Sequence, residues 1–113
     1  MSVNAQIAPF RMVSFEGTHS LLLDVGEYKA DIFSAREEDG FEGNGYDWAS
    51  LARVFLQEKM PELQDIIGFD PEGSMFCAYA SDKEALQKFA LGFHAACEDD
   101  ALIRDLFSRA ELD

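Results

Sequence analysis

The residues of this sequence that could perform chemistry are two histidines, two cysteines and many carboxylates. Neither His19 nor His94 has a second ligand at the spacing of the common zinc motifs. Cys77 and Cys97 stand twenty positions apart, which is not the CxxC spacing of a metal finger. A nucleophilic Ser or Cys needs a nearby base and a group that orients the base, and no such set is recognisable. The sequence therefore predicts a protein that is not an enzyme, with no catalytic residues, no metal and no cofactor.

A glycine-rich segment at residues 40–45 has the composition of a phosphate-binding loop but not its other features. A Walker loop ends in lysine followed by Ser or Thr, and a dinucleotide-binding turn directly follows a strand; this segment does neither. The four acids within residues 37–42 would also repel phosphate. A calcium loop is disfavoured because Phe41 and Gly43 stand where an EF-hand requires oxygen ligands. Nucleotide and calcium binding are therefore not expected.

The same part of the chain is a candidate contact surface for a protein. Residues 36–47 hold five acids against one arginine, which gives 1 − 5 = −4. Tyr46 would supply a flat aromatic contact of the kind that interfaces favour. For residues 37–46 two interpretations stay open, a solvated loop and a binding loop, and Asp47 and Trp48 are expected to anchor the loop from behind. The candidate contact residues are Glu37, Glu38, Asp39, Glu42 and Tyr46.

Length and charge limit the class of protein. With 113 residues, 48% of them hydrophobic, the chain can build one packed domain, which we expect to span residues 1–113. The net charge of −13 argues against binding to nucleic acid or to anionic membranes, and it suits a basic partner. Residues 1–20 lack the basic start and apolar run of a signal peptide. We expect a cytoplasmic protein whose two cysteines are reduced and buried.

Alternating apolar residues predict an antiparallel sheet of about five strands. The first three follow one another closely, with a hairpin turn at residues 26–27, because the connections are too short for parallel crossovers. A type I turn at residues 70–73 joins the last two strands. The final strand is apolar on both faces, which predicts a central position covered on each side. The predicted strands are residues 10–15, 20–25, 28–33, 66–69 and 74–80.

Apolar residues at helical spacing predict two long helices and a short one. The first covers residues 48–60 and has Asp47 as its N-cap. A capping box formed by Ser81 and Glu84 opens the second. The acids at residues 98–100 cap the short C-terminal helix. The predicted fold class is α+β, with elements in the order β-β-β-α-β-β-α-α.

Four segments of the chain resemble the Immunity protein 51 family. They are LLDVGEYKA at residues 22–30, GFEGNGYDW at 40–48, MFCAY at 75–79 and DLFSRAE at 105–111. The glycine loop that runs into a tryptophan is the most specific of them. The resemblance extends from about residue 21 to the C terminus. It implies a small bacterial protein of a polymorphic toxin system that binds and neutralises a cognate toxin, and it transfers no individual site residue.

The charge and the resemblance agree on the kind of partner. Toxins that act on nucleic acid are usually basic, and an acidic inhibitor would associate with them rapidly through electrostatic steering. We therefore expect a monomer or weak dimer that binds a basic toxin through the acids of residues 37–42. A second acidic surface at residues 98–100 ranks behind it, because those acids have a sufficient role as helix caps. The alternative is a small cytosolic ligand-binding or housekeeping domain in which residues 37–46 cover a pocket.

Overall fold

The computed structural model describes residues 3–112 and confirms the α+β class. Within that range the strands are Arg11–Phe15 (β1), Thr18–Asp24 (β2), Gly68–Phe69 (β3) and Met75–Ala80 (β4). They form one antiparallel sheet in the order β1-β2-β4-β3, with one strand fewer than predicted. The α-helices are Val3–Ile7 (α1), Ala30–Ser34 (α2), Gly45–Lys59 (α3), Lys83–Glu98 (α4) and Asp100–Phe107 (α5), and 3-10 turns lie at Glu37–Asp39 and Pro61–Leu63. Residues 1, 2 and 113 of the expected domain lie outside the described part.

The sheet is built on the β1–β2 hairpin. Its two turn residues, Glu16 and Gly17, have positive φ angles of 49° and 82°, the conformation of a type I′ turn whose twist suits antiparallel strands. β2 then pairs with β4, so that Leu23 lies opposite Phe76. β4 is therefore the central strand that the sequence predicted, with β2 on one side and β3 on the other.

The segment predicted as the third strand, residues 28–33, is instead the short helix α2. The place beside β2 that this strand would fill is occupied by β4. Lys29 has a left-handed backbone conformation, with φ 56°, just before the helix, and this breaks an extended run. Ile32 and Phe33 are both buried, which a helix allows for adjacent residues, whereas a strand points them to opposite faces. The predicted strand and its hairpin turn at residues 26–27 are therefore wrong.

Only one face of the sheet is covered by helices. Phe76, Ala78 and Ala80 of β4 point toward α3 and α4 and are buried. On the other face Tyr79 is 42% exposed and Cys77 is half-buried. The prediction that β4 is covered on both sides is therefore wrong, because α3 and α4, the helices that contact β4, cover only the face of Phe76, Ala78 and Ala80.

The β3–β4 connection reverses later than predicted. Instead of a turn over residues 70–73, Gly73 and Ser74 form the turn between Glu72 and Met75. The backbone N–H of Glu72 donates to the carbonyl oxygen of Met75 at 2.8 Å, and the reverse bond measures 3.2 Å. The antiparallel pairing thus continues past Pro71 to Glu72. The chain therefore reverses at Gly73 and Ser74 and not over residues 70–73.

Two helices begin at residues other than those predicted. α3 begins at Gly45, and its N-cap is Asn44, whose Oδ1 accepts a hydrogen bond from the Asp47 backbone N–H at 2.9 Å. Asp47 is therefore inside the helix and is not its cap. In α4 the N-cap is Asp82 rather than the predicted Ser81. The cap lies three positions before the predicted one in α3 and one position after it in α4, and in each case an Asn or Asp with an extended backbone supplies the capping oxygen.

Helix α1 has no counterpart in the sequence prediction. Its Ile7 is fully buried in the core, and its Asn4 lies along the edge of β1. Asn4 Oδ1 accepts a hydrogen bond from the Met12 backbone N–H at 2.8 Å. β1 is an edge strand, whose free backbone groups could pair with another chain. The Asn4 side chain satisfies one of them, the Met12 N–H.

Trp48 occupies the centre of an aromatic core. Its side chain is 1% exposed, and five aromatic rings surround it at centroid distances of 5.1 to 6.3 Å. The five rings belong to Phe10, Tyr28, Phe33, Phe76 and Phe93. Cys97 is also in the core as a free thiol, and burial raises its pKa. Cys77 is likewise free but only half-buried, so the expectation of two buried thiols holds for Cys97 alone.

The first residue of α3 sits directly against the β3–β4 hairpin. The Gly45 backbone N–H donates to the Gly73 carbonyl oxygen at 3.2 Å, and a Cβ on Gly45 would overlap the carbonyl oxygens of Glu72 and Met75. We predict that Gly45→Ala lowers the free energy of unfolding by about 3 kcal/mol, because two backbone segments must separate. Urea denaturation measures the effect.

The matched control is Gly73→Ala, since a Cβ there meets nothing within 4 Å. Its free energy of unfolding should stay within about 0.5 kcal/mol of the wild type. If the Gly45 variant is as stable as this control, the close contact between helix and hairpin is not required by the fold.

Candidate functional site: an acidic loop and the cleft beside it

The acidic loop, residues 37–46, runs from the 3-10 turn Glu37–Asp39 that follows α2 into the first two residues of α3, Gly45 and Tyr46. The five predicted contact residues of this loop all have exposed side chains, and that of Tyr46 is 44% exposed. Glu37 and Glu42 border one cleft, and Glu42 and Tyr46 border a shallower depression beside it. Glu38 and Asp39 border neither. The structure therefore brings three of the five candidates to connected surfaces.

Arg36 fixes the start of the acidic loop to the end of α5. Its Nη1 donates to the carbonyl oxygens of Phe107 at 2.5 Å and Ala110 at 2.9 Å, and its Nε pairs with Asp39 at 3.0 Å. The guanidinium lies 4.5 Å from the centre of the Phe41 ring. A cation is favoured beside the free carbonyls at a helix C terminus. Sequence analysis missed this role, for which the lone arginine before an acidic run was the available signal.

Asp47 fixes the far end of the acidic loop from beneath. The side chain is 4% exposed, and its Oδ2 accepts hydrogen bonds from the backbone N–H groups of Glu42 at 2.6 Å and Gly43 at 2.8 Å. A carboxylate that accepts from two backbone amides forms strong charge-assisted bonds. Trp48, the next residue, lies in the core. The prediction that these two residues anchor the loop from behind is confirmed.

The glycines of the acidic loop serve contacts inside the protein. Gly43 has a φ angle of 79°, which residues with a side chain rarely adopt. A Cβ on Gly43 would also lie 3.3 Å from the Cβ of Phe33, tighter than an ordinary contact. Together with Gly45 against the hairpin, this glycine lets the loop lie close to α2 and β4.

The cleft lies between the acidic loop and residues 26–34 and has a volume of about 500 Å³. Glu37 and Glu42 stand on its loop side, and Ala30 and Ser34 of α2 stand opposite. The described residues that line it include no lysine, arginine or histidine. Four aromatic residues border it, of which Phe33, Phe41 and Trp48 are almost fully buried and only Tyr28 is partly exposed.

The carboxylates of the loop differ in how far they are already engaged. Asp39 is paired with Arg36, and Glu42 Oε2 accepts a hydrogen bond from Asn44 Nδ2 at 3.1 Å. No side-chain hydrogen bond or ion pair within residues 3–112 reaches the carboxylate of Glu37 or Glu38. These two acids are therefore the ones whose charge is most available to a partner.

The rival acidic surface at residues 98–100 is engaged inside the protein. Glu98 Oε2 accepts a hydrogen bond from the Tyr28 hydroxyl at 2.5 Å, Asp99 caps α5, and Asp100 pairs with Arg104 at 2.9 Å. Burial, followed by this hydrogen bond, raises the pKa of Tyr28, and the same hydrogen bond lowers the pKa of Glu98. All three acids thus have intramolecular roles, but of the three predicted caps only Asp99 caps α5.

The histidines lie away from the acidic loop and bond to neighbouring groups. His19 Nδ1 is hydrogen-bonded to Ser14 Oγ at 2.6 Å, and His94 Nε2 donates to the Ala8 carbonyl oxygen at 3.1 Å. Across the described part of the chain, no three His, Cys, Asp or Glu side chains are grouped closely enough to hold a metal ion. None of the helices between residues 3 and 112 has the length and apolar content that crossing a lipid bilayer requires.

A family model described as Immunity protein 51 matches residues 10–112, which is nearly the whole chain. The chain belongs to the Immunity protein 51 family. As a member of this family it has an immunity function in the general sense, and the family implies a cognate toxin as the binding partner. The acidic loop, the cleft and their anchoring residues all lie inside the matched range. No curated protein and no solved structure matches the chain.

We predict that Asp47→Ala frees the acidic loop of this Immunity protein 51 member. The two backbone N–H groups that Asp47 accepts from would lose their partner, at a cost of about 1–3 kcal/mol in the free energy of unfolding. Amide hydrogen exchange at Glu42 and Gly43 should accelerate selectively. Asp65→Ala, at an exposed acid outside the loop, is the control and should leave both exchange rates unchanged.

Proposed function

We propose that this Immunity protein 51 member binds and neutralises a cognate bacterial toxin by direct contact through the acidic loop. The supporting observation is that five exposed side chains, four of them acidic, are presented by a backbone that Arg36 and Asp47 hold at both ends. A preorganised loop loses little conformational entropy on binding, so more of the contact energy appears as affinity. The contact residues are Glu37, Glu38, Asp39, Glu42 and Tyr46.

The charge of the protein supports a basic toxin. The net charge of −13 creates a negative potential around the whole molecule, and the acidic loop concentrates it at one edge. Steering by complementary charge raises association rates by roughly 10- to 1,000-fold and weakens as salt rises. An inhibitor that must reach a toxin before it acts benefits from a fast association rate.

Neutralisation by occlusion requires no chemistry from the inhibitor. We propose that the protein has no catalytic activity, uses no cofactor, and acts in the cytoplasm as a single domain that is a monomer or weak dimer. A hydrolytic activity of the pure protein, abolished by one substitution at Cys77, His94 or a carboxylate, would contradict this part of the proposal.

A second candidate function is the binding of a small ligand, because the acidic loop borders a cleft of about 500 Å³. Finding a toxin-domain gene beside this one, and co-expressing that domain with this protein, separates the two. Rescue of growth by the wild type and loss of rescue in loop variants support toxin neutralisation. Normal rescue by loop variants, with failure of variants at Glu98, Asp99 and Asp100, would instead move the contact to that surface.

Reversing two charges of the acidic loop should slow association with the toxin. We predict that Glu38→Lys combined with Asp39→Lys lowers the association rate about tenfold at low salt and less at high salt, since both acids face solvent. Stopped-flow mixing at several salt concentrations measures the rate, and thermal unfolding checks that the fold is retained.

The control makes the same change of charge at the other end of α3. Glu62 and Asp65 are exposed acids in and just after the 3-10 turn that follows this 15-residue helix, whose length is about 22 Å. Their double lysine variant should keep most of the wild-type rate. Equal slowing by both variants would show that total charge, and not the loop, controls the encounter.

The Tyr46 side chain should affect the rate at which the complex with the toxin dissociates and leave the association rate unchanged. We predict that Tyr46→Ala raises the dissociation rate by an amount equivalent to roughly 1–3 kcal/mol, because an aromatic anchor at the centre of an interface contributes most to the bound state. Tyr79→Ala is the matched control, since Tyr79 is 42% exposed, against 44% for Tyr46, and lies on the uncovered sheet face. Surface-immobilised toxin gives both rates, and a lasting complex with the Tyr46 variant would remove this residue from the interface.

A further inference from the structure

We propose that the cleft beside the acidic loop receives one arginine side chain of the toxin, an inference that rests on the proposed function. At the cleft, the carboxylates of Glu37 and Glu42 and the half-buried ring of Tyr28 face the same occupant. Its volume of about 500 Å³ lies within the roughly 300–1,000 Å³ of clefts that hold small ligands. One long side chain and its water molecules fit such a space.

The charges at the cleft require a cationic occupant. Glu37 and Glu42 line it, and the lining residues of the described chain offer no internal cation to balance them. A neutral occupant would displace water from these carboxylates without replacing the lost hydrogen bonds, which is costly. A cation that enters between them restores the lost interactions.

The aromatic lining favours arginine over lysine. A guanidinium is planar, stacks on aromatic faces and is more weakly hydrated than an ammonium. The protein already uses this contact next to the cleft, where the Arg36 guanidinium lies 4.5 Å from the Phe41 ring centre and 5.1 Å from that of Phe107. Of the rings that border the cleft, Phe33, Phe41 and Trp48 are at most 2% exposed, so the surface open to a guanidinium is the half-buried ring of Tyr28.

The first test uses small probes and no toxin. N-acetyl-arginine methylamide is titrated into the protein, with N-acetyl-citrulline methylamide as an uncharged probe of nearly the same shape. The chain has one tryptophan, Trp48, which lines the cleft, so its indole N–H signal in NMR reports occupancy. We expect saturable shifts for the arginine probe with a dissociation constant on the order of 1 mM, and at least tenfold weaker binding of the citrulline probe. Equal binding of both probes, or none, overturns the inference.

Neighbouring variants show whether the cleft itself is responsible. Glu37→Gln should weaken the arginine probe at least fivefold, whereas Glu38→Gln, the same change one position away and outside the cleft, should not. Ala30→Tyr fills the cleft from an exposed position and should abolish binding, whereas Ala35→Tyr, also exposed but not lining the cleft, should leave it intact. A Glu38 effect equal to that of Glu37 overturns the assignment to the cleft.

Binding to the toxin separates this inference from the function on which it rests. Ala30→Tyr should weaken toxin binding at least tenfold relative to Ala35→Tyr. If the charge-reversed acidic loop slows association but Ala30→Tyr binds normally, the arginine site is overturned and the proposed function stands. If neither loop nor cleft variants affect toxin binding, the proposed function fails and the inference with it.

Discussion

The approach of the start of α3 to the β3–β4 hairpin is the constraint on which the rest of the structure depends. The hydrogen bond from Gly45 to Gly73 joins two backbones with no room for a side chain between them. This contact holds α3 against the central strand β4. It thereby fixes the directions in which the side chains of the next residues of α3 point. Trp48 enters the aromatic core, and Asp47 turns back toward the loop.

The acidic loop combines an immobile backbone with free side chains. Its backbone is tied through Asp47 at one end and, through Arg36, to the carbonyl groups that end α5. The carboxylates of Glu37 and Glu38 make no contribution to these ties. The acids repel one another, but the hydrogen bonds of Arg36 and Asp47 hold the backbone of the loop in place. These bonds are strong because they are charge-assisted and partly or wholly shielded from water.

The sequence predicts features of this fold and site that depend on local patterns. The core position of Trp48 and the exposure of the acids follow from composition and spacing. The error at residues 28–33 has a non-local cause, because β2 pairs with a strand some fifty positions later and leaves no place for a third neighbour. The exchange of capping roles between Asn44 and Asp47 depends on where the loop amides point. Arg36 acts on carbonyl groups 71 and 74 residues away, a distance that no local pattern reveals.

The separation of anchoring residues from contact residues has an evolutionary consequence. Substitutions at Glu37 or Glu38 break no side-chain hydrogen bond or ion pair of the described chain, so they can accumulate with little loss of folding stability. Substitutions at Gly45 or Asp47 disturb the scaffold itself. Under the proposed toxin contact, a lineage can therefore follow a diverging toxin by exchanging surface residues of one loop, and two sister strains can become incompatible while retaining the same architecture.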